Sequence, residues 1–373
     1  MKRLAILSTH PIQYNAPLFR MLHENDGIEL RVFFSKTWDQ VKFDPDFQRE
    51  VVWDIPLAIG YDHVTIDAST RRSRKDLSRA IQNFNPHAIL VYGWNFPGHL
   101  FIMRTFHGST PIWFRGDSHL LNPMPFWKKA MRKVMLTWVY RHADIAFTVG
   151  TANEAYYRWS GLNQNQLILA PHAVDLQFWQ KKNAERTAEA ERWRKELSIP
   201  EDAKCVGYAG KLEPLKQVDL IIRSTLKSGE SHHAIIAGTG PTETELTHVF
   251  GSHSRVHFVG FVNQSRMPVF YRMLDVLALA SFSETWGLCV NEAMACGTPC
   301  LVSDRAGCAQ DIFLQSDCGK SVMWNDEAAW TEAIRHTLKT DKNTMNWSAY
   351  VNRFRIEVFA QAIHQQFRQM ESS

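Results

Sequence analysis

The chain has 373 residues, of which 45% are hydrophobic and 21% charged, with a formal net charge of +4. That length is too great for one ordinary core and predicts two globular domains, and no apolar run approaches the roughly 18 residues that span a bilayer. The charge is unevenly shared: up to Lys182 there are 22 Lys/Arg against 15 Asp/Glu, a net of +7, and the remainder has 20 against 23, a net of −3. A basic first half fits an anionic partner such as a membrane surface, lipid phosphate or nucleic acid.

Met1-Lys-Arg-Leu-Ala-Ile-Leu-Ser8 imitates a signal peptide only briefly. Its apolar core is Leu4 to Leu7 and polar residues follow at once, so it is read as a first buried strand of a chain that stays in the cytoplasm. The next turn, Ser8-Thr-His-Pro-Ile-Gln-Tyr14, is stiffened by Pro11 and offers polar groups on His10, Gln13 and Tyr14. Further strands are predicted at Leu30–Phe34, Ala88–Tyr92, Pro111–Phe114 and Ile145–Val149. Apolar runs without alternation indicate a parallel sheet covered on both faces. Residues 39–76 fit no clean helix and read as an insertion or long loops. Within them Asp44-Pro-Asp46 is formally an Asp-x-Asp, but no apolar strand precedes it, and no metal is predicted. Ile112-Trp-Phe-Arg-Gly-Asp-Ser-His119 is a strand running into a polar loop, with Asp117 and His119 at a carboxyl end of the sheet. Phe126–Arg141 interleaves Lys128, Lys129, Arg132 and Lys133 with aromatic residues and methionines at helical spacing. Its cations suit lipid headgroups while Trp127 and Met131 dip in; the Arg71-Arg-Ser-Arg-Lys75 tract adds charge. The bland alternative is a solvated charged face over an ordinary core helix.

Lys181–Leu197 is a charged helix, and the domain crossing is placed just ahead of it. Strands follow at Lys204–Ala209, His233–Ala237, Val256–Phe258, Val276–Ala280 and Cys300–Val302, with a last helix near Trp347–Met370. After the first of these strands comes Gly207-Tyr-Ala-Gly-Lys-Leu-Glu-Pro-Leu-Lys-Gln217. Its Gly210 turn and the cations Lys211 and Lys216, beside a helix start, can neutralise a diphosphate. Gly238-Thr-Gly240 is a weak phosphate-loop signal by itself. The six cysteines, Cys205, Cys289, Cys296, Cys300, Cys308 and Cys318, form no Cys-x-x-Cys pair and read as reduced thiols. The most informative stretch is Ser283-Glu-Thr-Trp-Gly-Leu-Cys-Val-Asn-Glu-Ala-Met-Ala-Cys-Gly297. It predicts a loop carrying Glu284, then a helix from near Gly287 to Gly297 with Glu292 inside. An anion at that helix tip would have a carboxylate on either side, which describes a nucleotide sugar.

The wording around the two glutamates strongly resembles the carboxylate signature of the family-4 retaining glycosyltransferases of the GT-B fold. The 207–220 segment is similar to that family's Gly-Arg-Leu…Lys-Gly motif, with Lys211 where Arg is usual and Gln217 where Gly is usual. The resemblance implies an α/β architecture of two facing Rossmann-like domains with a cleft between them. The domains are taken as 1–178, on the acceptor side, and 179–354, on the nucleotide-sugar side, with 355–373 packing back on the first. It implies that Glu284 holds sugar hydroxyls and Glu292 the ribose, and that Gly210, Lys211, Lys216, Gly238, Thr285, Trp286, Gly287 and Leu288 surround the donor. Val262 lies in the segment whose backbone meets the base. An acceptor-side histidine is implied, for which His119 is favoured and Asp117 is second; a solvated loop histidine is the alternative. His10, Gln13 and Tyr14 complete the acceptor side. In the 304–311 segment Cys308 and Asp311 replace a usual Gly and Glu, and an ordinary strand-to-helix turn suffices there.

The expected activity is retaining, metal-independent hexosyl transfer from a UDP-linked donor to a glycan or lipid-linked acceptor, in polysaccharide or glycolipid biosynthesis. No cofactor beyond the donor substrate and no nucleic acid are expected, and the location is cytoplasmic, with peripheral membrane association through the basic half. The competing readings are a nucleotide-sugar epimerase of the same fold, a silent nucleotide-sugar binder, and a basic nucleic-acid-binding module.

Overall fold

Uninterrupted Val, Ile, Leu and Phe runs become the inner strands of two parallel sheets. The computed structural model describes residues 1–24, 27–38, 42–44, 48–312 and 318–372. Pro45 and Asp46 of the Asp-x-Asp lie outside the described residues. In chain order the strands are β1 (Lys2–Ser8), β2 (Ile28–Phe34), β3 (Lys42–Asp44), β4 (Arg49–Val51), β5 (His63–Thr65), β6 (Ala88–Tyr92), β7 (Ile112–Arg115), β8 (Ile145–Thr148), β9 (Leu167–Leu169), β10 (Lys204–Ala209), β11 (His232–Ala237), β12 (Val256–Gly260), β13 (Val276–Leu279), β14 (Cys300–Ser303) and β15 (Gly319–Val322). A seven-stranded sheet runs β5-β2-β1-β6-β7-β8-β9 and a six-stranded sheet runs β12-β11-β10-β13-β14-β15. Their pairings are parallel throughout. Among the described residues only the β3–β4 ribbon is antiparallel.

The chain divides into two compact units. The first comprises Met1–Gln40, Pro56–His172 and Ile356–Ser373. Helices Arg71–Phe84, Pro97–Phe106 and Phe126–Tyr140 share one core cluster on its sheet. On the other face, helices Ala16–His23 and Ile356–Ser372 pack over Leu4, Ile6, Leu30 and Trp113. The terminal helix is fixed there by aromatic contacts, with Phe367 4.8 Å from Trp113 and Phe359 5.1 Å from Phe147, centroid to centroid.

The second unit comprises Val41–Ile55 and Ala173–Arg355, which differs from the expected division in two places. Val41–Ile55 leaves the first domain because the Asn263 amide donates to the Val52 carbonyl at 2.7 Å. The Ser265 N–H also donates to the Asp54 carboxylate at 3.0 Å, and Trp53 meets Phe261 edge-on. The crossing falls after His172 rather than 178, because buried Trp179 lies against Tyr271 and its carbonyl accepts from the Arg272 guanidinium at 2.8 Å. The last helix is two helices, Trp347–Arg353 in the second unit and Ile356–Ser372 in the first.

Close backbone approach at the carboxyl end of the six-stranded sheet requires glycine, most tightly at Gly238. Gly238 has φ +140°, and a Cβ there would lie 1.8 Å from the Gly210 carbonyl oxygen. The two turns are laced by the Gly210 N–H to the Ala237 carbonyl and the Leu212 N–H to the Thr239 carbonyl, at 3.0 and 2.9 Å. Gly238→Ala should therefore lower unfolding stability by at least about 2 kcal/mol. Gly260→Ala, at φ +69° with open space around it, should cost about 1 kcal/mol. Urea unfolding of both variants checks the difference, and equal midpoints would contradict it.

Candidate functional site

In the second unit β10 has β11 on one side and β13 on the other, so the strand order reverses there. The loops leaving β10 and β13 diverge across the sheet, which is where open α/β sheets hold ligands. The β10 loop ends in the short 3₁₀ turn Pro214–Lys216. The β13 loop carries Glu284. Their side chains meet: Lys216 Nζ donates to Glu284 Oε2 at 2.7 Å, both side chains being largely buried. Burial lowers the Lys216 pKa, but the charge and hydrogen bond of Glu284 outweigh it and leave the amine above its ordinary 10.5.

The backbone fixes both partners. The Phe282 N–H donates to the Leu215 carbonyl at 2.8 Å, and the Gly307 N–H to that of Glu284 at 3.0 Å. Gln217, where the resembled family has Gly, adopts the left-handed conformation at φ 49° and starts helix Val218–Ser228. With its amide nitrogen facing the sheet, it donates to the Trp324 and Ala280 carbonyls at 2.9 and 2.8 Å. Two hydrogen bonds thus offset the backbone strain that a glycine would avoid.

Gly287, at φ +99°, opens helix Leu288–Ala295. A Cβ at Gly287 would fall 2.8 Å from the Leu279 side chain, so the close loop-to-strand approach excludes other residues. Trp286 is buried and its indole N–H donates to Asn291 Oδ1 at 2.9 Å, locking the loop to the helix. The first-turn amides of Leu288 and Cys289 face out of the helix end, as anion-binding donors do. Thr285 lies in the same short loop.

Glu292 sits one turn further on and is only 3% exposed. The Tyr271 hydroxyl donates to its Oε2 at 2.6 Å and the Gln264 amide to its Oε1 at 3.4 Å. Cys289, between the two glutamates, has its thiol pushed up by burial and then by the charges of Glu284 and Glu292, so it is protonated at neutral pH. Gly210 has φ +153°, and Tyr208 donates to the adjoining Lys211 carbonyl at 2.7 Å. Lys211 is half-buried in this turn, and Val262 lies in the loop after β12, two residues before Gln264. Asp311 is structural: its carboxylate pairs with Arg353 at 3.1 Å. Among the described residues, no group of three or more His, Cys, Asp or Glu is placed to hold a metal ion, and all six cysteines are free.

In the first unit the predicted polar residues also lie at carboxyl ends of strands, after β1 and β7. His10 is exposed and its Nδ1 bonds the Thr9 hydroxyl at 2.9 Å; Gln13 and Tyr14 are half-buried. His119 Nδ1 accepts from the Leu121 N–H at 3.2 Å, which leaves Nε2 to carry the proton of the neutral ring. Asp117 lies 3.9 Å from Nε2 of His172. Burial and then the Arg115 charge hold the His172 pKa well below normal, so that contact is not an ion pair at neutral pH. Arg115, buried beneath the loop, donates to the Ala170 carbonyl at 2.7 Å and stacks on Phe359 at 4.1 Å. His99 is fully buried, bonded to Ser35 at 2.8 Å, and burial brings its pKa to about 4. Sequence reasoning missed Gln264, Tyr271, Arg115, His172 and His99. Arg115 alone left a signal, as a cation ending an apolar strand.

Residues 189–354 match the model of the family described as glycosyl transferases group 1. A D-inositol 3-phosphate glycosyltransferase of Xylanimonas cellulosilytica is 28% identical over 208 residues, 53% of this chain and 50% of that protein. The chain thus spans about half the length of that curated relative. Among solved structures, sucrose-phosphate synthase from Thermosynechococcus elongatus superposes with a TM-score of 0.71 at 19% identity, covering 100% of both chains. HepE from Anabaena, in complex with UDP-glucose, gives 0.71 at 15% identity over 99% of this chain and 100% of that one. Residues 189–354 thus match the group 1 glycosyltransferases, and the fold of the chain is GT-B.

Two measurements follow from the pairings. Because the Lys216 pKa is raised, the stability its ion pair contributes is fully present below pH 10.5 and is lost as pH rises through the higher folded value. The stability gap between wild type and Lys216→Ala should therefore be flat from neutral pH to that limit and shrink above it; a gap that closes below it would contradict the pairing. Tyr271→Phe removes a donor from a buried carboxylate and should cost about 1.5–3 kcal/mol in urea unfolding, whereas an unchanged midpoint would show that the bond adds nothing.

Proposed function

We propose that the protein is a retaining, metal-independent hexosyltransferase that moves a hexose from a UDP-linked donor to a glycan or lipid-linked acceptor in polysaccharide or glycolipid biosynthesis. The observation that carries this reading is the Lys216–Glu284 contact at the strand-order reversal, 2.7 Å across, beside the first-turn amides of helix Leu288–Ala295. A cation, a helix N-terminus and two separate carboxylates are the set that a diphosphate between two hydroxyl-rich sugars requires.

In this reading the anomeric C–O bond breaks with its electrons left on the diphosphate, and the sugar takes on oxocarbenium character. Lys211, Lys216 and the Leu288 and Cys289 amides stabilise the departing phosphates without rearranging. The Lys216 ammonium has three N–H donors, so it can bond Glu284 and a phosphate oxygen together. Glu284 accepts from hydroxyls of the transferred sugar and Glu292 from the ribose, while Tyr271 and Gln264 hold the Glu292 carboxylate in place. The acceptor hydroxyl attacks from the leaving group's own face, which retains the configuration. Cys289 is no nucleophile, because its thiol is protonated. On the acceptor side the assigned residues are His119, with Asp117 as second candidate, together with His10, Gln13 and Tyr14. A donor of this kind places the reaction in the cytoplasm.

Lys216→Ala should cut transfer from UDP-hexose by a factor of about 10²–10³ with unchanged circular dichroism; near-wild-type turnover would remove Lys216 from the pyrophosphate site. Glu292→Ala should weaken binding of free UDP in calorimetry, and equal affinity would refute the ribose contact. Formation of a new sugar epimer from the donor alone would overturn transfer in favour of epimerisation.

A further inference from the structure

Helix Phe126–Tyr140 in the first unit turns one side to its core and leaves the other uncovered. Leu136, Val139 and Tyr140 are buried. Trp127, Met131, Val134 and Trp138, spaced four, three and four residues apart, fall on the opposite face. That face is open: Trp127 is 59% exposed, Met131 67% and Val134 74%. Phe126 and Met135 widen the stripe and are exposed as well. A run of large apolar side chains on one exposed face marks an interaction surface.

The charge around the stripe identifies what it meets. No Asp or Glu occurs between Ser118 and Ala143. Lys128 and Lys133 occupy the flanks of the stripe and are exposed. Lys128 lies over the Trp127 ring at 5.3 Å, and Arg104 and Arg141 lie over Trp138 at 5.4 and 5.8 Å. Cations thus border the indoles at both ends of a helix about 22 Å long. Helix Arg71–Phe84, on the same side of the sheet and packed on helix Pro97–Phe106, begins with four more cations within five residues. One of these, Arg74, is committed to the Ala68 and Ser69 carbonyls, and Arg71, Arg72 and Lys75 carry the rest of the charge. An apolar stripe rimmed by cations and lacking anions is complementary to an anionic bilayer surface.

We propose that helix Phe126–Tyr140 lies in the interface of an anionic membrane, with Trp127, Met131, Val134 and Trp138 among the acyl chains and Lys128 and Lys133 at the phosphates. This goes beyond the transferase reading and rests on the surface alone. It would hold the first unit, the proposed acceptor side, against the surface where a lipid-linked acceptor resides.

Flotation of the full chain with vesicles tests it without donor or acceptor, so the result is independent of the proposed reaction. Wild type should float with phosphatidylcholine vesicles containing phosphatidylglycerol, less so in high salt, and not with phosphatidylcholine alone. Met131→Glu combined with Val134→Glu should weaken partitioning at least about tenfold, and Lys128→Gln about fivefold. Both variants should keep the thermal midpoint and UDP affinity of wild type. Wild type that stays in solution, or a double variant that floats equally well, would overturn the proposal. So would a wild-type dimer in gel filtration that the double variant dissociates, because the stripe would then cover a second copy.

Discussion

The second unit is organised around a single buried contact, the Lys216–Glu284 ion pair. It joins two loops that leave adjacent parallel strands, β10 and β13, in diverging directions. A buried ion pair is costly unless its geometry is fixed, and here the backbone fixes it. The Phe282–Leu215 hydrogen bond ties one loop to the other, and the Gly307–Glu284 bond ties the carboxylate's own residue to the loop after β14. Three backbone features lie around it: Gly287 has no side chain to meet Leu279, Gln217 is left-handed, and Gly238 admits the Gly210 carbonyl.

Much of this was legible in the sequence because the physics is local. Ala88–Tyr92 is a uniform apolar run and Lys204–Ala209 a lysine followed by small and apolar residues, and they form strands with those bounds. Gly287 and Gly297 bracket a helix because each has a positive φ, one before its first turn and one after its last. The unread parts depend on distant partners. Strands β5, β9 and β15 have three or four residues and sit on sheet edges, too short to show a period. Val41–Ile55 joins the second unit through bonds to Asn263 and Ser265, more than two hundred residues away. The break near Phe354 divides what reads as one helix between the units, and no Gly or Pro announces it.

The site shows the same split. Glu284 and Glu292 stand out by their spacing, yet spacing does not say what holds them. Glu292 is supported by Tyr271 and Gln264, 21 and 28 residues earlier in the chain, and neither carries a motif. Arg115 is hidden for the opposite reason, since a cation ending an apolar strand looks like the edge of solvent but is buried under Phe359 and Ala170. The exposed stripe on helix Phe126–Tyr140 was half visible: Trp127 and Met131 were readable as surface residues, whereas Val134 and Trp138 join them only once Leu136, Val139 and Tyr140 define the inner face.

The central claim is that the second unit binds a diphosphate between its two carboxylates. Calorimetry of UDP, GDP and ADP, each beside its parent nucleoside, tests it most directly. The account predicts that one diphosphate binds far more tightly than its nucleoside, with the difference lost in Lys216→Ala. A nucleoside that binds as tightly as its diphosphate, or no binding of any of the three, would contradict it.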